Sequence, residues 1–422
     1  MNIAKKNLDI MKKYNWQLGY SSMTVLDKLK ISKFILTNDK WTLGPEIEKY
    51  ENKWSKYTGS PYVVMVGSGS EANELIALHR KEELKKQGLW NCGKNKVLFN
   101  VVNWISSVSV WINFSFKPVF VDVDLVNLNP SVKQILEKLD KDKDIDTVFY
   151  TTLLGQSCNL ETLAKECQKR GVKLLLDNCE SSFSWEAFNK THPFDSYNRH
   201  FCNITTSSTS VYASHFTSGM QEGGLIFCQT LEEANWYRMA RNHGMTRGMP
   251  EEYKNPDVDP SFDFNLVGSN YRSTNLIAYM HSLDFDRSLK WSEENRRSIS
   301  KVFYSNLNSY DSKVCKKVYK YLNQHINSES GHMLLSLPII RDPKYPDKEL
   351  IQKVKGYLNA AGVGYRGLVG SNLLRHTAFK EYGNPKDYPN ADYLHYNSIY
   401  IGLHTGIKAE IAKQLALELS KL

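Results

Sequence analysis

Four stretches of the chain carry residue types that could do chemistry together. Gly67-Ser68-Gly69-Ser70-Glu71-Ala72-Asn73 falls where a strand should give way to a helix. Small residues there let backbone N–H groups approach a phosphate at the positive end of the helix. The same run satisfies G-x-G-x-x-A, the dinucleotide pattern, but the acid expected about 20 residues on at the end of the second strand is missing from 97–103. A plain glycine-rich turn explains it as well. Leu174-Leu175-Leu176-Asp177-Asn178-Cys179-Glu180-Ser181 reads as a buried strand ending on an acid. Burial of that carboxylate is costly unless it is paired, and a protonated ring nitrogen is a suitable partner, with a turn cap as the plainer alternative. Asn103-Trp104 puts an indole at another strand exit, where it either covers a flat ring or belongs to the core. The fourth stretch, Ser210-Val211-Tyr212-Ala213-Ser214-His215-Phe216 through Glu222-Gly223-Gly224, offers hydroxyls and one histidine between two strands.

The elements that must position these residues follow from hydrophobic period and from breakers. Helical spacing covers Val25 to Leu36 and, after Thr42-Leu43-Gly44-Pro45, Glu46 to Tyr57, with Pro45 near the start and Gly59 past the end. From Tyr62 the pattern becomes short apolar runs alternating with amphipathic segments. Strands are expected at 62–66, 96–102, 118–123, 147–151, 173–176, 201–205 and 225–228, with helices at 70–87, 131–139, 160–170 and 231–241. Such alternation predicts an α/β fold with a mostly parallel central sheet, helices on both faces, and a ligand site at the carboxyl ends of the strands. Beyond residue 275 the pattern turns to helix at 295–307, strand at 333–340, helix at 350–361, strand at 398–401 and helix at 407–422. The expected organisation is an N-terminal helical arm (1–60), a large α/β domain (61–275) and a smaller α+β C-terminal domain (276–422).

Composition removes other classes. At 422 residues the chain can bury a large core, and 41% hydrophobic with 23% charged residues is ordinary for a soluble globular protein. No apolar run has the length that spans a bilayer, and residues 1–14 lack the apolar core of a signal peptide, so a cytoplasmic location is expected. Seven scattered cysteines without a C-x-x-C pair argue against a disulfide framework or a structural metal site. The net charge of +9 is dispersed and suits anionic small molecules; no basic run interleaved with aromatics points to nucleic acid.

Taken in register, Gly69-Ser70, Asp177 and His215 resemble the fold-type I pyridoxal-phosphate enzymes, and more narrowly the sugar aminotransferases that act on nucleotide-linked keto sugars. That family's motif runs Ser-Phe-Tyr-x-x-Lys, then a spacer, an acid and Gly-Gly; here Ser-Val-Tyr-Ala-Ser-His stands in its place, with a longer spacer to Glu222. No lysine occurs between Lys190 and Lys254 to take over. In the family, histidine at this position marks a subgroup of 3-dehydratases. The segments 152–155, 241–247, 268–272 and 390–394 also resemble that subgroup, so the likeness covers most of the chain. It implies that Gly69, Ser70 and Ser210 hold the cofactor phosphate, that Trp104 stacks on the ring, that Asp177 pairs with its nitrogen, and that Glu180 lies beside it. It further implies a homodimer in which Asn270 reaches the partner's site, and that Leu43, Gly44, Arg247, Arg272 and His404 face the nucleotide-diphosphate keto sugar. Glu71 departs from the family, where a hydroxyl residue is common.

The implied chemistry follows from the exchange. Imidazole moves protons near neutrality but does not hold an aldehyde covalently. Pyridoxal or pyridoxamine 5'-phosphate would therefore be bound noncovalently, and the expected reaction is C3 dehydration of a 4-keto-6-deoxy sugar with release of ammonia, glutamate restoring the amine. Four other readings stand beside this one. They are an inactive homologue in which His215 is a loop residue, an aminotransferase using another lysine, an iron–sulfur-partnered dehydratase, and a cofactor-free scaffold. Arg241 to Arg247 also read as cations favoured by a helix end.

Overall fold

The computed structural model describes residues 13–125, 127–187, 198–212, 214–217, 222–307, 332–343 and 346–422. Two helices open it. α1 (Val25–Thr37) starts on a capping box formed by Thr24 and Asp27, and α2 (Pro45–Thr58) starts on Pro45 and ends at Gly59, whose φ of 72° is the left-handed conformation glycine tolerates. Both pack on α8 (Asn275–Trp291), which is itself capped by Thr274.

The main sheet is built from β1 (Tyr62–Val66), β2 (Lys96–Asn100), β3 (Lys117–Val121), β4 (Ile145–Thr151), β5 (Lys173–Asp177), β8 (Ser207–Ser210) and β9 (Gly224–Cys228). Its order is β1-β9-β8-β5-β4-β2-β3. Strands β8, β5, β4, β2 and β3 pair in parallel, and β9 alone is antiparallel to its neighbours β1 and β8. Consequently β1, β2, β4, β5 and β8 all exit at one edge, and β9 enters from it. The helices that alternate with the strands are α3 (Gly69–Lys86), α4 (Ser106–Asn113), α5 (Val132–Lys141), α6 (Leu160–Lys169) and α7 (Leu231–Ala240). Clusters of buried side chains on both faces of the sheet account for its near-continuous apolar strands; β4 is buried along its whole length.

One expected strand is misplaced. Residues 201–205 open on a short 3-10 turn (Phe201–Asn203), and the strand is β8, Ser-Ser-Thr-Ser, fully buried beside Asp177. Period and hydropathy both miss β8 because its side chains are hydroxyls. They are accommodated by hydrogen bonds instead: Ser207 donates to the Cys202 carbonyl, Ser208 to Asn73 Oδ1 and Thr209 to the Asn178 carbonyl. Helix α4 was likewise not anticipated; its Ser and Val residues favour other structures, and burial of Val108 and Trp111 overrides that preference. A two-stranded ribbon, β6 (Trp185–Ala187) with β7 (Asn198–His200), is a further addition.

A second, antiparallel sheet, β10-β12-β11, joins Ser336–Ile340, Ser398–Gly402 and Tyr365–Arg366. It is accompanied by α9 (Arg297–Leu307), α10 (Leu350–Ala361), α11 (Pro389–Asn397) and α12 (Ala409–Leu419). Residues 14–18 cross back to this sheet: Trp16 Nε1 donates to the Gly402 carbonyl, and Gly364 N donates to the Trp16 carbonyl. Among the described residues no helix is long and apolar enough to cross a membrane.

Candidate cofactor and substrate site

A cavity of about 370 Å³ opens where the main sheet's carboxyl edge meets the second sheet. Its walls come from the strand exits: Ser68, Gly69 and Ser70 after β1, Trp104 after β2, Thr151 and Leu153 at the end of β4, Asp177, Cys179 and Glu180 at β5, and Ser210, Tyr212, Ser214 and His215 at and after β8. Small-sheet residues Arg366 and Tyr400 close the opposite side.

Asp177 is held from several directions. Asn73 Nδ2 donates to Oδ2 over 2.8 Å, Ser107 Oγ donates to the same oxygen over 2.6 Å, and the Cys179 N–H reaches Oδ1 over 3.0 Å. The residue is 1% exposed with no arginine or lysine pairing with it among the described residues. A buried carboxylate fixed by neutral donors and facing a cavity is well suited to receive a cationic ring nitrogen.

Ser68 caps α3 through Glu71 N, so the first N–H groups of a long helix point at the cavity. A β-carbon on Gly69 would stand 2.8 Å from Ser210 Cβ and 3.0 Å from Cys179 Sγ, which makes glycine a condition of that close turn. Likewise, a β-carbon on Gly224 would stand 2.1 Å from the Ser68 carbonyl oxygen, so the Gly-Gly entry into β9 lets this strand lie against the turn. Ser210 is fixed by accepting a hydrogen bond from Tyr212 N, over 3.2 Å. Glu71 folds back, and its carboxylate accepts from Gly67 N over 2.7 Å; burial raises its pKa.

His215 follows β8 in a turn closed by its own N–H on the Tyr212 carbonyl. Its ring meets Tyr212 edge-on at 5.8 Å, and Nδ1 is buried without a well-formed hydrogen bond. Burial lowers the ring's pKa to about 4, against the opposing pull of Asp177 and the Ser210 backbone. It is therefore a neutral base at physiological pH. Burial pushes Glu180 the other way, up to about 7, although the Leu154 N–H donates to its Oε2; the charge of Asp177 adds to the push. Among the described residues no lysine lines the cavity.

The structure thus brings together Gly69, Ser70, Trp104, Asp177, Glu180, Ser210 and His215. It leaves the other candidates outside this cavity in the single chain. Asn270 is exposed and bridges Asn242 through the backbone. Arg272 donates to Asn242 Oδ1 over 2.7 Å, and Arg247 to the Ser261 carbonyl over 2.9 Å. Leu43, at φ 47°, and Gly44 form the entry to α2. His404 Nε2 donates to the Gln17 carbonyl over 2.9 Å while its ring stacks on Tyr20. Sequence reasoning missed Leu18, Ser107, Glu222, Arg366 and Tyr400 as lining residues. Ser107, in the hydroxyl-rich run after Trp104, and Glu222, the acid before Gly223-Gly224, had a local signal.

Pyridoxal phosphate fits this set. The buried Asp177 matches its ring nitrogen, the glycine-demanding turn at the start of α3 with Ser210 matches its phosphate, and Trp104, 53% exposed at the rim, matches its face.

Comparison with known proteins agrees. The family model described as the DegT/DnrJ/EryC1/StrS aminotransferase family matches residues 27–420. The chain is 27% identical over 405 residues to GDP-4-keto-6-deoxy-D-mannose 3-dehydratase of Escherichia coli O55:H7, covering 92% of this chain and 95% of that protein. In structure it is similar to the E. coli GDP-4-keto-6-deoxy-D-mannose-3-dehydratase with bound hydrated PLP, with TM-score 0.77, 23% identity and coverage of 96% and 99%. It is similar also to Helicobacter pylori PseC, an aminotransferase involved in pseudoaminic acid biosynthesis, with TM-score 0.78, 14% identity and coverage of 97% and 99%.

Proposed function

The chain belongs to the DegT/DnrJ/EryC1/StrS aminotransferase family, and from that premise we propose that it is a lyase dependent on pyridoxal and pyridoxamine 5'-phosphate. It removes the C3 hydroxyl of a nucleotide-linked 4-keto-6-deoxy sugar as water, releases ammonia, and consumes glutamate as the amino donor. One observation carries the reading: the cavity wall presents His215 at the end of β8 and, among the described residues, no lysine.

When bound, the cofactor supplies an electron sink that makes the proton on its C4' carbon removable. The rest is the work of side chains. Asp177, held by Asn73 and Ser107, keeps the ring nitrogen protonated. The α3 turn at Gly69 and Ser70 and the Ser210 hydroxyl bind the phosphate, and Trp104 covers the ring. His215, neutral through burial, would serve as the base for the proton at C4', the loss of which would accompany departure of the C3 hydroxyl. Glu180, poised near neutrality by burial, stands beside the ring.

The working unit is a homodimer. Exposed apolar residues on α1 (Val25, Leu26, Leu29 and Leu36) and at Phe262, Phe264 and Val267, just before Asn270, support a covered surface there. Asn270 then contributes to the partner's cofactor phosphate. Arg247, Arg272, His404 and the Leu43-Gly44 turn serve the sugar nucleotide.

Aminotransferase relatives share the fold, so the second reading is amino transfer at C4. Borohydride separates them: the cofactor of a lysine-free site stays removable by dialysis after treatment, whereas a cofactor fixed to a lysine becomes covalently attached. A His215→Lys variant is expected to lose dehydration and gain borohydride trapping. Unchanged dehydration in that variant would overturn the assignment of His215.

A further inference from the structure

Behind the histidine lies a cation that the proposed reaction does not use. Arg296, 2% exposed, ends the π-turn (Ser292–Arg296) between α8 and α9, and among the described residues no carboxylate pairs with it. Burying a guanidinium in that state is costly unless its donors are filled. Here Nε donates to Ser292 Oγ over 3.0 Å, and Nη1 faces the carbonyls of Leu334 (3.0 Å), Leu335 (3.0 Å) and Leu403 (2.9 Å). Its guanidinium carbon, Cζ, lies over two rings, 4.4 Å from the Phe216 centroid and 5.2 Å from that of Trp291.

These contacts join parts of the site that are far apart in sequence. Phe216 directly follows His215, Leu335 lines the cavity just before β10, and Leu403 follows β12. π-Turns are rare and are frequently found at functional sites.

We propose that Arg296 is a positioning residue for His215, clamping the Phe216 ring, and with it the turn that carries the histidine, to the backbone entering β10 and leaving β12. The role rests on His215 being the base, as argued above. Arginine suits it because a planar fork can stack and donate at once, which an ammonium cannot. Burial lowers its pKa to about 9, so it remains charged at neutral pH, and that charge disfavours a second one on His215.

Removing the cation outright risks unfolding, so the test uses Arg296→Lys and Phe216→Leu in the holoenzyme. Displacing a catalytic group by about 1 Å costs roughly a hundredfold. Arg296→Lys is therefore expected to lower kcat for dehydration by about ten- to hundredfold, with KM changed by no more than about twofold. Phe216→Leu is expected to lower kcat less, and the double variant no further than Arg296→Lys alone, because both break one contact. Amide hydrogen exchange at 214–217 is expected to quicken in both single variants. Multiplicative losses in the double variant, a change confined to KM, or exchange at 214–217 as slow as in the wild type would each overturn the clamp. His215→Gln serves as the control: if it still dehydrates, the base assignment fails, while hydrogen exchange continues to judge the clamp separately.

Discussion

The two ends of the site are built differently. At the cofactor end, Asp177, Ser210 and His215 leave adjacent parallel strands, and the Gly69-Ser70 turn follows β1 at the same edge of one sheet. Asp177 is pinned by buried hydrogen bonds, Gly69 and Ser210 by a close approach that excludes a β-carbon, and the backbone of His215 by its N–H on the Tyr212 carbonyl. At the proposed substrate end, Arg247 and Arg272 lie outside the cavity, bonded to nearby loops of their own chain, and the Leu43-Gly44 turn lies outside it at the entry to α2. A rigid sheet edge can hold a cofactor within one chain. Long loops lie at the surface and can serve a neighbouring subunit.

If this contrast is right, damage at the first end should be large and local. His215→Gln is expected to reduce dehydration by about a thousandfold, the scale of a lost general base, with cofactor still bound; mass analysis of the sugar product checks it. Retained dehydration would break the comparison at its strongest point.

Glu180 offers a thermodynamic reading of the same end. Its folded pKa of about 7 lies above the ordinary carboxyl value of 4.5, so the folded apoprotein holds a proton that the unfolded chain has released. The sign is that stability falls as pH rises from about 4.5 to 7. A shift of this size corresponds to at most about 3 kcal/mol. Glu180→Gln should flatten that slope in denaturant titrations of the apoprotein at pH 5 and pH 8; an unchanged slope would show that the carboxyl ionises freely.

Asp177→Asn removes the charge while keeping the shape. Hydrogen bonds to a charged group contribute about 1.5–3 kcal/mol, so cofactor affinity should fall roughly ten- to hundredfold, read by equilibrium dialysis. The smallest effect is expected at the second end. Arg272→Ala should raise KM for the sugar nucleotide by about three- to tenfold, the worth of one half-buried ionic contact near the surface, and leave cofactor affinity alone. If cofactor affinity fell instead, the division between the two ends would be wrong.

The same division explains what was legible in the sequence. Asp177 stood out because three leucines precede it, Gly69 because small residues cluster between an apolar run and a helix, and His215 because it occupies a motif position otherwise held by lysine. β8 did not stand out, because a strand of Ser-Ser-Thr-Ser is stabilised by partners, Cys202, Asn73 and Asn178, that its own pattern does not announce. Arg366 and Tyr400 reach the cavity from a different sheet, and Leu18 from a segment that crosses to that sheet. Such contacts arise from tertiary packing, which no local period encodes. Arg296 is similar: nothing in the helical pattern of residues 295–307 marks it out, and only the fold buries it.

The central claim is that a histidine in the lysine position turns amino transfer into dehydration. The direct measurement is to incubate the holoenzyme with glutamate and a nucleotide-linked 4-keto-6-deoxy sugar, GDP-linked first, and to weigh the sugar product while assaying ammonia. A 3-deoxy-4-keto sugar with ammonia released in equal amount is the predicted result. A product in which an amine has replaced the C4 ketone, with the C3 hydroxyl retained and no ammonia released, would contradict it.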